Sequence, residues 1–479
     1  MKRHLLLPAL AALVLVGCGG DEDPAIRSDE REVGAQQHPQ LLAAFGGAYD
    51  APEAAYVRRI GERVAAAADL GGQCTFTLVN SDVVNAFAVP GCYIYVTRGM
   101  MAIVNSEGEL AAVLGHELGH IVGAHSRRQQ RRSIWRSLGV LAVGLVTGSE
   151  SLTRLAAGAA EFFTLRYSRT QEYQADDLGV RYLSASGYDP HAAADMLDAL
   201  GRNEQFVART RGRDEARGMP EWARTHPLAG NRVERAREAA SATGHAPDAL
   251  PENEAAYLAE VDGLLYGDDP QQGFVLGRRF AHPAMRIGFE APAGFTLTNS
   301  PQALLIEGPD GTRGEFGVGR MPAGGLEAYA TALLAQLLGD VGAKTGAGER
   351  RVVNGVEAFV VPALVQTERG SVEIKVAVYA GDGGAAYHLI AASQPSAQSR
   401  TAVEALIGSF RTLSQAEAAA LRPRTVRTIA VPPGATAATI ARRMASDHSL
   451  DHFLMLNARA ADAPLRPGEH VKIVVWGGG

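Results

Sequence analysis

Apolar residues recur at helical spacing between residues 110 and 122, where Leu110, Val113, Leu114, Leu118, Ile121 and Val122 share one face. Ser106-Glu-Gly-Glu109 precedes them and fits a capping box, the serine capping free backbone N–H groups while the glutamate reaches back. A second helix is predicted around Glu172 and Asp176, and a third from Tyr188-Asp-Pro through Leu200. Two apolar runs lie between the first two helices, Leu138–Val146 and Leu155–Phe163, broken by Thr147-Gly-Ser-Glu150. Each is too short to span a bilayer, which predicts a helical hairpin packed over a neighbouring cleft or against a membrane surface. The charged stretch Arg209–Met219 reads as a connector or a lid.

Beyond about residue 255 the period changes. Met285–Phe289, Phe295–Thr298, Leu304–Ile306 and Val372–Tyr379 alternate like strands, punctuated by Pro-Asp-Gly and Gly-Asp-Gly-Gly turns. Helical patterns at Leu326–Leu338 and Ser399–Phe410 complete an α+β domain over 255–415 that carries no catalytic constellation. The expected class is therefore α+β: a mainly helical domain over 37–250 with a small edge sheet, the 255–415 domain, and a last βααβ unit over 425–476.

The first helix carries His116-Glu117-Leu-Gly-His120. Histidines at i and i+4 lie one turn apart on one face, so both imidazoles are able to hold one metal ion, and Glu117 is placed to take a proton from a water on it. The competing explanation is a core helix whose histidines are merely satisfied, which is costly for two histidines and a glutamate without partners. Zinc needs a third protein ligand and an open position. Glu172 supplies the ligand, and Asp176, again at i+4, is placed to orient a ligand histidine through its other ring nitrogen. Alone, that acidic pair would read as a solvated helix face. His125, five residues past His120, points well off the ligand face and reads as a residue behind the ligands or an exposed one.

Read in order, Asn85-Ala-Phe-Ala-Val-Pro-Gly-Cys92-Tyr-Ile-Tyr-Val-Thr-Arg98-Gly, the metal helix, Ser168-Arg-Thr-Gln-Glu172-Tyr-Gln-Ala-Asp176 and Thr225-His226-Pro227-Leu with Arg232 resemble the HtpX, BepA and CAAX-prenyl-endopeptidase family of zinc metallopeptidases. The resemblance covers about residues 40–245 and implies a gluzincin-type site with one zinc ion on His116, His120 and Glu172. It implies Glu117 as general base, and Asp176 and Arg232 behind the ligands. Asn85, Ala86, Phe87 and Ala88 would be the edge strand beside which an extended substrate adds. His226 would either steady the oxyanion or block the open position when idle, although His38 and His282 also precede prolines and show that the dipeptide alone carries no weight. Cys92 departs from a pattern that usually has glycine there. The 255–415 domain is faintly similar to PsbP-like domains. Arg427–Thr436, Ile440-Ala441, Leu456-Asn457 and Leu465–Ile473 resemble a LysM repeat, which implies peptidoglycan binding; Ala435 stands where that pattern has aspartate.

Lys2 and Arg3, the apolar Leu5–Val16 and Leu15-Val-Gly-Cys18 have the layout of a bacterial lipoprotein signal, with Cys18 acylated and residues 19–36 as a polar tether. Gly19 and Gly20 place no aspartate directly after that cysteine, which by resemblance to enterobacterial lipoprotein sorting implies the outer membrane, facing the periplasm. Cys74 and Cys92 then sit in an oxidising compartment, as a disulfide or as two small buried thiols. A formal net charge of −6 argues against nucleic-acid binding. The basic cluster Arg127, Arg128, Arg131, Arg132 and Arg136 reads as a solvated helix continuation or a contact for anionic headgroups. The expected function is a lipid-anchored periplasmic zinc metalloendopeptidase in quality control of misfolded or outer-membrane proteins, with the outer-membrane assembly machinery and peptidoglycan as candidate partners. The alternative is a chaperone-like assembly factor with a latent metal site; peptidoglycan hydrolysis fits the tail but not the peptidase motif.

Overall fold

The structure, a computed structural model, describes residues 26–126, 167–210, 221–227, 231–299, 303–339, 342–367 and 370–477. Cys18 with the signal segment, the arginines from 127 to 136, both apolar runs between 138 and 163, and residues 211–219 of the charged loop lie outside the described residues. Among the described residues, no helix is long and apolar enough to cross a membrane.

The first body comprises α1 (Ser28–Ala44), α2 (Pro52–Ala67), β1 (Thr75–Val79), β2 (Ala86–Val89), β3 (Tyr93–Thr97), α3 (Arg98–Ile103), α4 (Glu107–Val122), α5 (Arg169–Ala185), α6 (Ala192–Thr210), α7 (Glu221–Thr225), α8 (Arg232–Ala242), α9 (Glu254–Glu260) and the short β4 (Leu265–Tyr266). Its sheet has the order β1-β3-β2, β1 running parallel and β2 antiparallel to β3, so β2 forms an edge. Helix α4 is buried along its length from Glu107 to Ile121 and forms the axis of the body. The tether expected over 19–36 gives way to α1 at Ser28. Polar composition hid this because what holds α1 is a close approach: Gly34 sits where a Cβ would meet the Pro90 carbonyl oxygen at 2.2 Å, and Arg31 donates to Gln73 across 2.8 Å.

The middle domain follows with β5 (Phe274–Leu276), β6 (Arg279–His282), β7 (Ile287–Glu290), β8 (Thr296–Asn299), β9 (Leu304–Glu307), β10 (Arg313–Arg320), α10 (Gly325–Leu338), β11 (Ala343–Thr345), β12 (Glu349–Val353), β13 (Val356–Thr367), β14 (Gly370–Ala380), β15 (Ala385–Ser393), α11 (Ala397–Gly408), β16 (Arg411–Thr412) and α12 (Gln415–Ala420). The main sheet runs β11-β13-β14-β15-β10-β9-β8, with β12 also on β13. Alternation divides its two faces. Phe359, Val361 and Val365 pack under Leu334 and Leu337 of α10, whereas Ala358, Val360, Tyr379 and Leu389 pack under Val403, Leu406 and Ile407 of α11.

The last unit, β17 (Arg424–Ala430), α13 (Ala437–Ala441), α14 (Ser449–Leu456) and β18 (His470–Trp476), has a βααβ order with β17 antiparallel to β18. It is not separate from the first body. β4 extends its sheet by pairing with β17, and Val426, Phe453 and Ile473 share one core with Ile60, Leu110 and Leu114. The fully buried Lys472 ammonium reaches from β18 into the end of α3 and donates to the carbonyls of Ala102 (2.7 Å), Ile103 (3.2 Å) and Val104 (2.7 Å).

Candidate metal centre

Helix α4 starts where its polar signals place it. The Ser106 hydroxyl accepts from Glu109 N at 2.9 Å, while the Glu109 carboxylate reaches one residue further back than a capping box requires, accepting from Asn105 N at 2.9 Å. Its ligand half then depends on small residues. A Cβ on Gly119 would stand 2.8 Å from the Ala175 carbonyl oxygen, and one on Gly115 would stand 3.3 Å from the Gly179 Cα. α4 and α5 therefore meet nearly backbone to backbone, which brings Glu172 and Asp176 up to the two histidines. Gly115, Gly119, Ala175 and Gly179, spaced by four on each helix, carried this information in the sequence unread.

His116, His120, Glu172 and His226 are all buried, and each offers a ligand atom within 4.8 Å of the others. His116 Nε2 lies 3.0 Å from His120 Nε2 and 3.2 Å from His226 Nδ1; His226 Nδ1 lies 3.2 Å from Glu172 Oε1, which is 3.6 Å from His120 Nε2. His226 Nδ1 is within hydrogen-bond distance of Glu172 Oε1, but the Nε2 atoms of His116 and His120 face each other. His116 Nδ1 faces Asp176 Oδ1 at 3.0 Å and so holds its proton on that side, leaving the Nε2 lone pair turned toward the other donors. Convergent imidazole and carboxylate lone pairs fit a cation, and a nitrogen–oxygen set of this kind suits zinc.

The surroundings set the charges. Arg232, buried, clamps Asp176 through Nε (2.8 Å) and Nη2 (2.7 Å) and meets Glu172 Oε2 with Nη1 at 2.8 Å; Nη1 also donates to the carbonyls of His226 (3.4 Å) and Pro227 (3.3 Å). Burial alone would raise the Asp176 carboxyl, but Arg232 and His116 bring it down to about 2. Burial likewise opposes ionisation of Glu172, and His226, Arg232 and His116 together hold it below its ordinary value. His120 is kept neutral chiefly by burial, reinforced by the neighbouring histidines. Glu117 differs. Burial pushes its carboxyl up to about 8, with His116 opposing and the Glu172 charge adding; the Ala88 backbone N–H of β2 also opposes the rise, and among the described residues no side chain donates to either oxygen. The His226 Nε2 stands 3.6 Å from Glu117 Oε1.

Two aromatic rings complete the enclosure. Tyr167 stacks on His120 with centroids 3.8 Å apart, and Trp222 of α7 stacks on His226 at 4.2 Å. Trp222 N also donates to the Val84 carbonyl, just ahead of β2. Neither ring was singled out from the sequence; each lies within five residues of a ligand-bearing segment, a signal too common to act on. Asn85 pairs with Thr97 through its N–H and carbonyl, and its buried Oδ1 has no hydrogen-bond partner among the described residues. Ala86 and Ala88 are buried and Phe87 stacks on Tyr95, so the residues expected as a substrate edge lie beside α4. His125 lies behind the ligands, buried with Nδ1 2.8 Å from His120 Nδ1, which decides against an exposed position for it. Cys74 and Cys92 form a disulfide, which decides between the two alternatives left by the sequence.

Residues 51–240 match Peptidase family M48. The chain is similar to the beta-barrel assembly-enhancing protease of Yersinia pestis, 30% identical over 275 residues that make up 55% of this chain and 54% of that protein. It is also similar to the beta-barrel assembly-enhancing protease of Escherichia coli, 29% identical over 199 residues (40% of this chain, 38% of that protein). The Arabidopsis thaliana mitochondrial metalloendopeptidase OMA1 is 32% identical over 125 residues, 26% of this chain and 25% of that protein. The chain thus spans about half, or less, of the length of these curated relatives. Among solved structures, the cyanobacterial PsbP of Synechocystis covers 30% of this chain and 98% of its own at 13% identity and a TM-score of 0.24. With the match over residues 51–240, the four-donor cluster marks that region as a metalloprotease domain.

Proposed function

We propose that this metalloprotease domain is a gluzincin-type zinc metalloendopeptidase with His116, His120 and Glu172 as ligands and Glu117 as general base. The observation that carries this is the placement of Glu117, whose buried carboxyl stands beside four convergent donors with its Oε1 3.6 Å from His226 Nε2. Zinc bound there supplies a Lewis acid for a peptide carbonyl and acidifies water. The chain's own residues do the rest. Asp176 fixes the His116 ring and Arg232 holds Asp176 and Glu172 in place. Glu117 accepts a proton and passes it to the leaving amine, a role suited to a carboxyl poised near neutral pH. An extended peptide adds along the outer edge of β2, the strand containing Ala86, Phe87 and Ala88, with Asn85 at its head.

His226 is the fourth donor, and four protein donors make a closed site. In the proposal it caps the centre at rest and must withdraw for a substrate carbonyl to enter, when its freed ring nitrogen would be available to steady an oxyanion. His226→Ala is expected to keep zinc on the other three ligands and to let a small chelator strip it several-fold faster; loss of zinc on purification would make His226 a structural ligand instead. The closed site also favours a second reading, an assembly factor that holds unfolded proteins with its metal site latent. Cleavage of an unfolded β-barrel protein by the wild type but not by Glu117→Gln supports the peptidase; equal cleavage refutes the general-base role, and no cleavage by either supports the latent reading.

The similarity to the beta-barrel assembly-enhancing proteases supports an envelope setting and unassembled outer-membrane proteins, with their assembly machinery, as substrates and partners. The lipobox at Cys18 supports anchoring to the outer membrane on its periplasmic side, and the Cys74–Cys92 disulfide agrees with that compartment. The βααβ order of residues 424–476 supports the LysM-like assignment and a peptidoglycan contact. Because that unit shares its core with the first body, the full chain is the reagent to test on purified sacculi, and lack of retention removes the glycan role.

A further inference from the structure

Helix α4 is capped by Gly123, and Ala124 takes a left-handed φ of 50°, which interrupts the helical path. Beyond this break the fully buried His125 lies against α4 with its Nδ1 2.8 Å from His120 Nδ1. A Cβ on Gly123 would stand 2.5 Å from His125 Nε2, so this path needs glycine for its space rather than for its backbone angles. On its far side, His125 Nε2 lies 3.2 Å from Gln174 Oε1 on α5, and the Gln171 side chain donates to the His125 carbonyl at 3.4 Å.

The proton positions follow from the partners. The Gln174 carbonyl oxygen only accepts, so the His125 proton sits on Nε2. Nδ1 of His125 is then a lone pair, and it accepts from Nδ1–H of His120. That leaves the His120 Nε2 lone pair directed at His116, Glu172 and His226. Every link is consistent with His120 binding a cation through Nε2. We propose that His125 and Gln174 are positioning residues that fix the tautomer and ring plane of His120, as Asp176 does for His116. This rests on the metal-centre reading above and adds an asymmetry to it. One ligand histidine is backed by a carboxylate, the other by an imidazole.

The test uses the full-length protein, with zinc affinity measured by competition against a chromophoric chelator and the visible spectrum of the cobalt-substituted form as a report on ligand geometry. His125→Leu is expected to weaken zinc binding by about 10- to 100-fold and to shift the cobalt bands. His125→Asn places an amide oxygen where Nδ1 stood and should stay within about threefold of wild type. Gly123→Ala moves His125 without altering it and should resemble His125→Leu. Wild-type affinity with unchanged cobalt bands in His125→Leu overturns the proposal. So does an Asn variant as weak as the Leu variant, since packing and not the acceptor would then be responsible. Should His125→Leu fail to fold, Gln174→Leu is read in the same way, with a smaller loss expected and no loss overturning the relay. A wild-type protein that takes up no zinc refutes the metal centre itself, a result distinct from any difference among the variants.

Discussion

At the N-terminal end of α4 the buried Glu107 accepts hydrogen bonds from Tyr188 (2.6 Å), Tyr56 (2.8 Å), Arg59 (3.1 Å) and Asn253 (3.3 Å). Two residues on, Glu109 accepts from Asn105 N, and the Lys472 ammonium nearby is held by carbonyls of the α3 end. Ten residues beyond Glu107, on the same helix, Glu117 is buried with no side-chain donor to either oxygen among the described residues, beside histidines whose Nε2 atoms face one another. The residue type is the same at the two ends; satisfaction is not. A buried carboxyl without side-chain donors costs stability, so its persistence marks the end of α4 where something other than folding is served.

The sharpest way to break this contrast is Glu117→Gln. If the site end is kept for chemistry, turnover should fall by about 10²- to 10⁴-fold while zinc content holds and the melting temperature stays level or rises. A variant that melts markedly lower would place Glu117 with Glu107 among residues that hold the fold.

Much of this site was legible because ligand spacing is a local property. His116, Glu117 and His120 share a helix whose period the apolar residues declare, and Glu172 and Asp176 repeat the logic on α5. What stayed hidden depends on where the chain bends or touches itself. For His125 the sequence left a place behind the ligands or an exposed one open, because helical spacing does not show the left-handed residue at Ala124 that interrupts the helix and sets where the next ring falls. The helix at residues 28–36 was read as tether because its hold on the sheet runs through Gly34, a residue with no side chain to signal it. The βααβ order of the C-terminal unit was legible in its turns, but its fusion with the first body was not, since a lysine in a strand gives no hint of three carbonyls waiting 368 or more residues away.

That lysine gives the next prediction, for the structural end of α4. Lys472→Met keeps much of the volume but strands the Ala102, Ile103 and Val104 carbonyls, and should cost about 3 kcal/mol of stability. Zinc affinity in the folded fraction should be unchanged. A loss of zinc affinity at full folding would mean that the C-terminal unit tunes the metal end after all, and the two ends of α4 would no longer be separable.

The disulfide tests a smaller version of the same distinction. Cys92 adopts a left-handed φ of 63° directly after Gly91, at the position where the resembling family has glycine. Replacing Cys74 with Ala and Cys92 with Gly removes a crosslink spanning 18 residues, worth about 3 kcal/mol, and relieves about 1 kcal/mol of backbone cost. The net loss should be about 2 kcal/mol by denaturant titration, and Cys92→Ala with the same Cys74→Ala should lose more because it keeps the strain. Equal losses would show that the backbone angle carries no cost there.

The smallest expected effect concerns pH and Glu107. Burial raises its carboxyl, but hydrogen bonds from Tyr188, Tyr56 and Arg59 outweigh burial and hold it below its ordinary value. A carboxyl depressed in the folded state contributes stability that is complete above its unfolded value, about 4.3, and lost as pH falls through the folded one. Glutamine at 107 can still accept from the tyrosines, so at neutral pH Glu107→Gln should cost only about 1 kcal/mol. Melts of both proteins at pH 7, 5, 4 and 3 should show a gap that is steady down to about pH 5 and closes below about pH 4. A gap that persists to the acid end would mean that shape rather than charge secures this end of α4, and the contrast with Glu117 would then rest on hydrogen-bond partners alone.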